Sequence, residues 1–213
     1  DSLRANQHLA MQLESQSFAP ASRRLLNAYL ENHPGAHGVE LQALAISCQL
    51  EPDATHSASI RRLQENLPTT RFNATVLSAF KQITFLVTEG KCDNISDEEV
   101  YGLGQAILAN PAFQLGAIQH VVHVELGRIG YRRRDFALTM MHLESAIRAF
   151  QNPQTLRMAI RILSEAGRSD LAWEFLEEAK KQALPANPFR AKQWLNDLAE
   201  IEEALPSMGS RNR

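Results

Sequence analysis

Leu126-Gly127-Arg128-Ile129-Gly130-Tyr131, followed by Asp135-Phe136 and then by Leu143, Ala146 and Ile147, decides how this chain folds. Apolar residues recur at helical spacing on both sides of Arg132-Arg133-Arg134, which predicts two amphipathic helices joined by a short turn. The frame returns 33 residues on, where Leu176 matches Leu143 and Ala179 matches Ala146. Gly167-Arg168-Ser169-Asp170-Leu171-Ala172 supplies the second turn and a small residue for a close helix crossing. A two-helix unit of this size has too little core to stand alone, so it buries its faces against neighbouring units.

Working outward, helical spacing continues almost throughout and its interruptions fall regularly. Helices are predicted over Leu3–Gln16, Ala19–Glu31, Val39–Leu50, Ser57–Asn66 and Phe72–Thr88. Ser96 with Glu99 three residues later reads as a capping box opening a helix that stops at Asn110-Pro111. Ala112–Ile129, Arg134–Phe150, Gln154–Ala166, Asp170–Ala183 and about Phe189–Leu205 complete the series. Turns this short force antiparallel neighbours. The expectation is an all-α, right-handed solenoid of helical hairpins with about eleven helices, forming one domain over 1–205. Its clearest repeats span 114–150 and 151–183, and 206–213 is expected to be a loose tail. The last helix gathers Ala191, Trp194, Leu195, Leu198, Ile201 and Leu205 on one side, so it is read as a cap over the end of the array.

These segments resemble tetratricopeptide repeats, whose unit is about 34 residues. Leu126-Gly127 matches the Leu-Gly pair of the family's first helix, whereas Gly130 stands where an aromatic is usual and Thr139 where alanine is usual. The resemblance covers about residues 114–183 and implies a concave groove lined by the first helix of each hairpin. On this chain the groove positions become Val121, Val124, Arg128, Tyr131 and Arg132, then Gln154, Arg157, Arg161, Ser164 and Glu165. Guanidinium groups bind carboxylate and phosphate in bidentate fashion, and some members hold a peptide's terminal carboxylate in this way. The alternative is a solvated arginine ridge paired with local glutamates such as Glu165.

A second resemblance rests on Leu67-Pro68-Thr69-Thr70-Arg71-Phe72-Asn73, Gly90-Lys91-Cys92 and Ala109-Asn110-Pro111. These segments look like the C-terminal soluble region of bacterial membrane proteins in which such repeats follow a glycosyltransferase- or ligase-like membrane portion. That resemblance implies a non-catalytic, extracytoplasmic (periplasmic) domain of a protein-glycosylation or polysaccharide-transfer enzyme, with a cytoplasmic location as the alternative. The first residues, Asp1-Ser2-Leu3-Arg4, lack an initiator methionine and a signal-peptide core, which suggests a piece of a longer protein or a processed chain.

Composition narrows the partner. Lysine and arginine total 22 against 24 acidic residues, a net charge of −2, so no global field favours nucleic acid. No stretch approaches the roughly 18 to 20 apolar residues of a membrane span. Phosphate-cradling glycine loops, a Gly-x-Ser-x-Gly elbow and a His-Glu-x-x-His pair are missing, so neither enzyme activity nor a cofactor is expected. His120 and His123 share a helix face near Glu125 and His142, yet a third ligand at a defined spacing is missing and no metal is expected. Cys48 and Cys92 lie at neighbouring helix ends, compatible with a bridge or with two buried thiols. Asn73-Ala74-Thr75 and Asn94-Ile95-Ser96 are glycosylation sequons that matter only in a eukaryotic secretory pathway, and Asn94 and Ser96 are better explained as turn and cap residues. The expected activity is therefore binding: a protein or peptide, acidic by the groove's charge, or alternatively an anionic glycan.

Overall fold

The computed structural model describes residues 19–51 and 54–209, with side chains described through Leu205. Among the described residues there are ten α-helices, two single 3-10 turns and no strand. The chain is therefore all-helical over this range. The helix expected over Leu3–Gln16 lies outside the described residues. Contacts divide the chain into two compact units, Asp1–Ile118 and Gln119–Arg213.

The first unit contains α1 (Ala19–Asn32), α2 (His37–Leu50), α3 (Ser57–Asn66), α4 (Ala74–Thr88) and α5 (Asp97–Leu108). Helix α2 is its axis. Every residue from Gly38 to Ile46 is buried, with α1 and α4 packed on it. Glu40 lies inside this run, and its charge is met by Arg62 of α3, whose Nε donates to Oε1 at 2.8 Å, and by His37 at 3.3 Å. A buried carboxylate needs such compensation, because an unpaired one costs several kcal/mol of desolvation.

Two helix starts are set back behind 3-10 turns. Leu67–Thr69 and Pro111–Phe113 form 3-10 turns, so the helices begin at Ala74 and Gly116 rather than at Phe72 and Ala112. Asn110 is the physical reason at the second turn. Its Oδ1 accepts from the Ala112 backbone at 2.8 Å, while its Nδ2 donates to the carbonyls of Leu67 at 2.6 Å and Thr70 at 2.7 Å. One buried amide thus closes both turns against each other.

Cys48 and Cys92 are joined by a disulfide, with Cα atoms 5.5 Å apart and a sequence separation of 44. Closing a loop of that length stabilises the folded chain by about 4 kcal/mol on the chain-entropy account. Asn94 ties down the same corner by donating to the carbonyls of Glu51 at 2.8 Å and Ala54 at 3.0 Å. The Asn73 side chain caps α4 by accepting from the Thr75 backbone at 2.9 Å. Both sequon asparagines are therefore occupied structurally.

The second unit holds most of α6 (Gly116–Arg132), with α7 (Phe136–Ala149), α8 (Pro153–Glu165), α9 (Ser169–Lys181) and α10 (Pro188–Gly209). Trp194, Leu198, Ile201 and Leu205 of α10 join one core with Leu143, Leu156, Leu163, Phe175 and Leu176. Helix α10 packs on α8 and α9. Leu195, expected on the buried side, is instead half-exposed, because 100° of helical rotation from buried Trp194 carries it off the core face. Residues 206–209 continue α10 rather than starting a loose tail.

The two departures from the repeat pattern meet in space. A Cβ at Gly130 would stand 2.9 Å from both the backbone nitrogen and the Oγ1 of Thr139, and one at Gly127 would press on Leu143. The glycine makes room for the threonine, and α6 and α7 cross in near backbone contact there.

The 33-residue echo reappears as turn geometry. Arg134 and Gly167 occupy equivalent positions in left-handed conformation, with φ of 56° and 72°. Each is closed by the same pair of hydrogen bonds: Asp135 N to Gly130 O and Arg134 N to Tyr131 O, then Arg168 N to Leu163 O and Gly167 N to Ser164 O. Gly90 ends α4 identically, with φ of 65° and bonds from Lys91 N to Leu86 O and Gly90 N to Val87 O. These are Schellman closures, and a side chain at the left-handed residue costs roughly 1 kcal/mol. Replacing Arg134 by glycine is accordingly expected to raise stability by up to about 1 kcal/mol. Urea denaturation checks this, and a lower midpoint would mean that the arginine side chain contributes more than the strain costs.

Candidate functional site

A cleft of about 840 Å³ lies within the second unit. Its walls are set by chain breaks. Helix α7 ends at Ala149, and Asn152 opens α8 by accepting from the Gln154 backbone at 2.9 Å, with Pro153 at the first helical position. The loop after α9 folds back over this junction because Gln151 Nε2 donates to the Ala183 carbonyl at 2.6 Å. Asn187 then starts α10 by accepting from the backbones of Phe189 and Arg190, which brings Arg190, Gln193, Trp194 and Asp197 to the far wall.

Three arginines line the cleft with one aspartate, Asp197, and each arginine is engaged differently. Arg157 Nη2 donates to Asp197 Oδ1 at 2.7 Å and Glu200 Oε2 at 3.0 Å, tying α8 to α10. The other Asp197 oxygen is buried without a hydrogen-bond donor, so Arg157 is its main compensation. Arg148 pairs along its own helix with Glu144 at 3.1 Å. Arg190 has no carboxylate partner among the described residues; its guanidinium carbon lies 4.9 Å from the Phe150 ring centroid. The amides of Gln154, Gln182 and Gln193 complete the polar lining.

The groove residues expected from the sequence have different surroundings. Gln154 and Arg157 line the cleft. Val121, Val124 and Arg128 are half-buried on α6, with Arg128 Nε 3.9 Å from Glu125. Tyr131 packs its ring edge-on to Phe136, and Arg132 is exposed at the helix end. Arg161 is exposed beside Glu165 at 3.8 Å, a one-turn pair on the solvent face of α8. Ser164 is buried, so it lines no open surface.

Arg190 and Arg148 did not emerge from sequence reasoning. The available signal was the loop between α9 and α10, rich in proline and alanine and ending in Asn187, which returns the chain over the start of α8.

A second cluster is buried nearby in the same unit. His120 Nδ1 lies 3.0 Å from the Ala146 carbonyl and its Nε2 lies 3.2 Å from the Thr155 hydroxyl, joining α6, α7 and α8. The carbonyl accepts only, so Nδ1 carries the proton and Nε2 accepts from Thr155. His123 and His142 meet through their Nδ1 atoms at 3.0 Å. Burial lowers the affinity of both for a second proton, and the neighbouring His123 adds to the effect at His142, which is pushed down to about 4. No group of three or more His, Cys, Asp or Glu among the described residues is placed to hold a metal ion.

Comparison of the chain with models of known families, with curated proteins and with solved structures returned no match.

The His123–His142 pair makes stability depend on pH. A histidine whose folded pKa lies below its unfolded value near 6.5 is protonated first in the unfolded chain, so its contribution is complete above about 6.5 and is lost as pH falls toward 4. For His142 that loss is on the order of 3 kcal/mol. Melting curves between pH 7 and 4 are expected to fall more steeply for the wild type than for His142→Gln. Parallel curves would show that the pair does not carry the acid sensitivity.

Proposed function

We propose that this chain is a protein-binding module of stacked helical hairpins similar to tetratricopeptide repeats, and that its second unit takes a protein segment in the cleft between the α7–α8 junction and α10. The observation that carries this reading is the cleft itself. It is open, polar, wide enough for several residues of extended chain, and lined by amides and guanidinium groups that complement peptide carbonyls and carboxylates. The three identical helix closures, two of them 33 residues apart, support the hairpin-repeat description. The proposed activity is binding, with the buried histidines joining helices: each ring is engaged with a carbonyl, a hydroxyl or another ring.

The cleft reading is tested by filling it. Ala186 is exposed on the loop wall, so Ala186→Trp blocks the space without disturbing the core. A peptide selected from a display library against the wild type is expected to bind this variant at least about tenfold more weakly, at an unchanged melting temperature, since exposed substitutions are usually neutral within about 0.5 kcal/mol. Undiminished binding would move the site elsewhere.

The disulfide favours an extracytoplasmic location, because such bridges persist in oxidising compartments. It thereby also favours the second resemblance, in which the chain is the non-catalytic domain of a membrane glycan-transfer enzyme and its cleft presents acceptor protein. Among the described residues no helix is long and apolar enough to cross a membrane, so a spanning portion would have to lie elsewhere in such a protein. Chain trapped with a thiol reagent during lysis of its native cells should carry no label at Cys48 and Cys92. Quantitative labelling of both would place the protein in a reducing compartment.

A further inference from the structure

We propose that Arg190, held over the Phe150 ring, anchors a carboxylate of an acidic peptide segment in the cleft. This rests on the reading of the cleft as a protein-binding site and adds the chemistry of what enters it.

The assignment follows from what each cation in the cleft is already doing. Arg157 is committed: it bridges Asp197 and Glu200, and the second Asp197 oxygen has no donor of its own. Moving Arg157 to a ligand would leave a mostly buried carboxylate without its partner, a large penalty for any incoming anion to offset. Arg148 is half-committed, because its pairing with Glu144 is an exposed contact one helical turn away, of a kind worth only a few tenths of a kcal/mol.

Arg190 differs from both. Its guanidinium carbon stands over the Phe150 ring in a cation–π contact, and no carboxylate among the described residues pairs with it. Its N–H edge stays open, and that edge forms two parallel hydrogen bonds to a carboxylate. The contact also limits the side chain's freedom, so less entropy is lost when an anion docks. The position of Phe150 is itself fixed from below by the edge-on ring of His120, 5.8 Å away.

The same wall selects the ligand class. Three arginines and one aspartate give the lining an excess of positive charge, with Glu200 and Glu144 paired at its edge. One singly charged carboxylate at a time suits that balance better than a dianionic phosphate, which the neighbouring carboxylates oppose. Gln154, Gln182 and Gln193 offer paired donors and acceptors that match the N–H and C=O groups of an extended peptide. An anionic glycan is disfavoured because it would seek an open ring face for its C–H surface. Phe150 is already covered by Arg190, and Trp194 is only 3% exposed.

The test is a titration of the isotope-labelled full chain with acetylated, amidated tetraglutamate, followed by NMR. Tetraglutamine, a phosphoserine tetrapeptide and a galacturonic acid tetramer are run alongside. Tetraglutamate is expected to shift the Trp194 indole N–H and the amides of 148–157 and 182–197, and to bind more weakly as salt rises. Tetraglutamine should bind about tenfold more weakly. Arg190→Gln should weaken tetraglutamate by about tenfold, the usual scale for losing one charge-assisted contact, without lowering the melting temperature. Equal binding of the acidic and neutral peptides, or of wild type and Arg190→Gln, removes Arg190 as the anchor and leaves the peptide site standing. A cleft that no peptide moves at millimolar concentration overturns both readings. Tighter binding of the phosphopeptide or of the uronate than of tetraglutamate would overturn the ligand class assigned here.

Discussion

Three helix pairs of this molecule, α4–α5, α6–α7 and α8–α9, depend on a backbone closure in which the chain enters left-handed conformation for one residue. At Gly90, Arg134 and Gly167 the same two hydrogen bonds satisfy carbonyls that a helix end would otherwise leave bare, and they reverse the chain within a few residues. Reversal that tight makes successive helices antiparallel neighbours, and antiparallel neighbours with apolar stripes have little choice but to pack face to face. Leu143, Ala146, Leu176 and Ala179 are all buried because these turns deliver their helices in register.

The cleft grows from the same constraint applied where it relaxes. Between α9 and α10 there is no left-handed closure, and the longer proline-containing loop lies across the start of α8, fixed by the Gln151–Ala183 hydrogen bond. Helix α10 therefore arrives offset, with its apolar face on α8 and α9 and its first turns standing clear of the α7–α8 junction. The gap left by that offset is the cleft. Arg157 and Lys180 hold the offset in place through Asp197, Glu200 and Glu202, contacts that leave little freedom to the wall they define.

Much of this architecture can be read from the order of residues, and the reason is punctuation. Ser96 with Glu99, Asn110-Pro111, Asn152-Pro153 and Gly167 act locally, so the helix ends they set are visible without knowing the fold. The compensation between Gly130 and Thr139 looks like two separate anomalies in sequence, because nothing in a linear reading says that the two residues touch. The site is harder for the same reason. Arg157 reads as a free cation until its carboxylates, 40 and 43 residues away, are brought beside it. Ser164 reads as a groove residue until its helix face is covered, and Arg190 acquires meaning only once Phe150 lies beneath it.

The cysteine pair has a kinetic side. Both residues are almost fully buried, at 2% and 3% exposure, with Asn94 packed between the α2 end and the α5 start. A reducing thiolate must reach a sulfur to attack it, so exchange waits for this corner of the first unit to open. The bond is then read out by the lifetime of the native state more than by the redox poise around it. A chain carried briefly into a reducing environment would keep its cross-link, which becomes a durable record of where the protein folded.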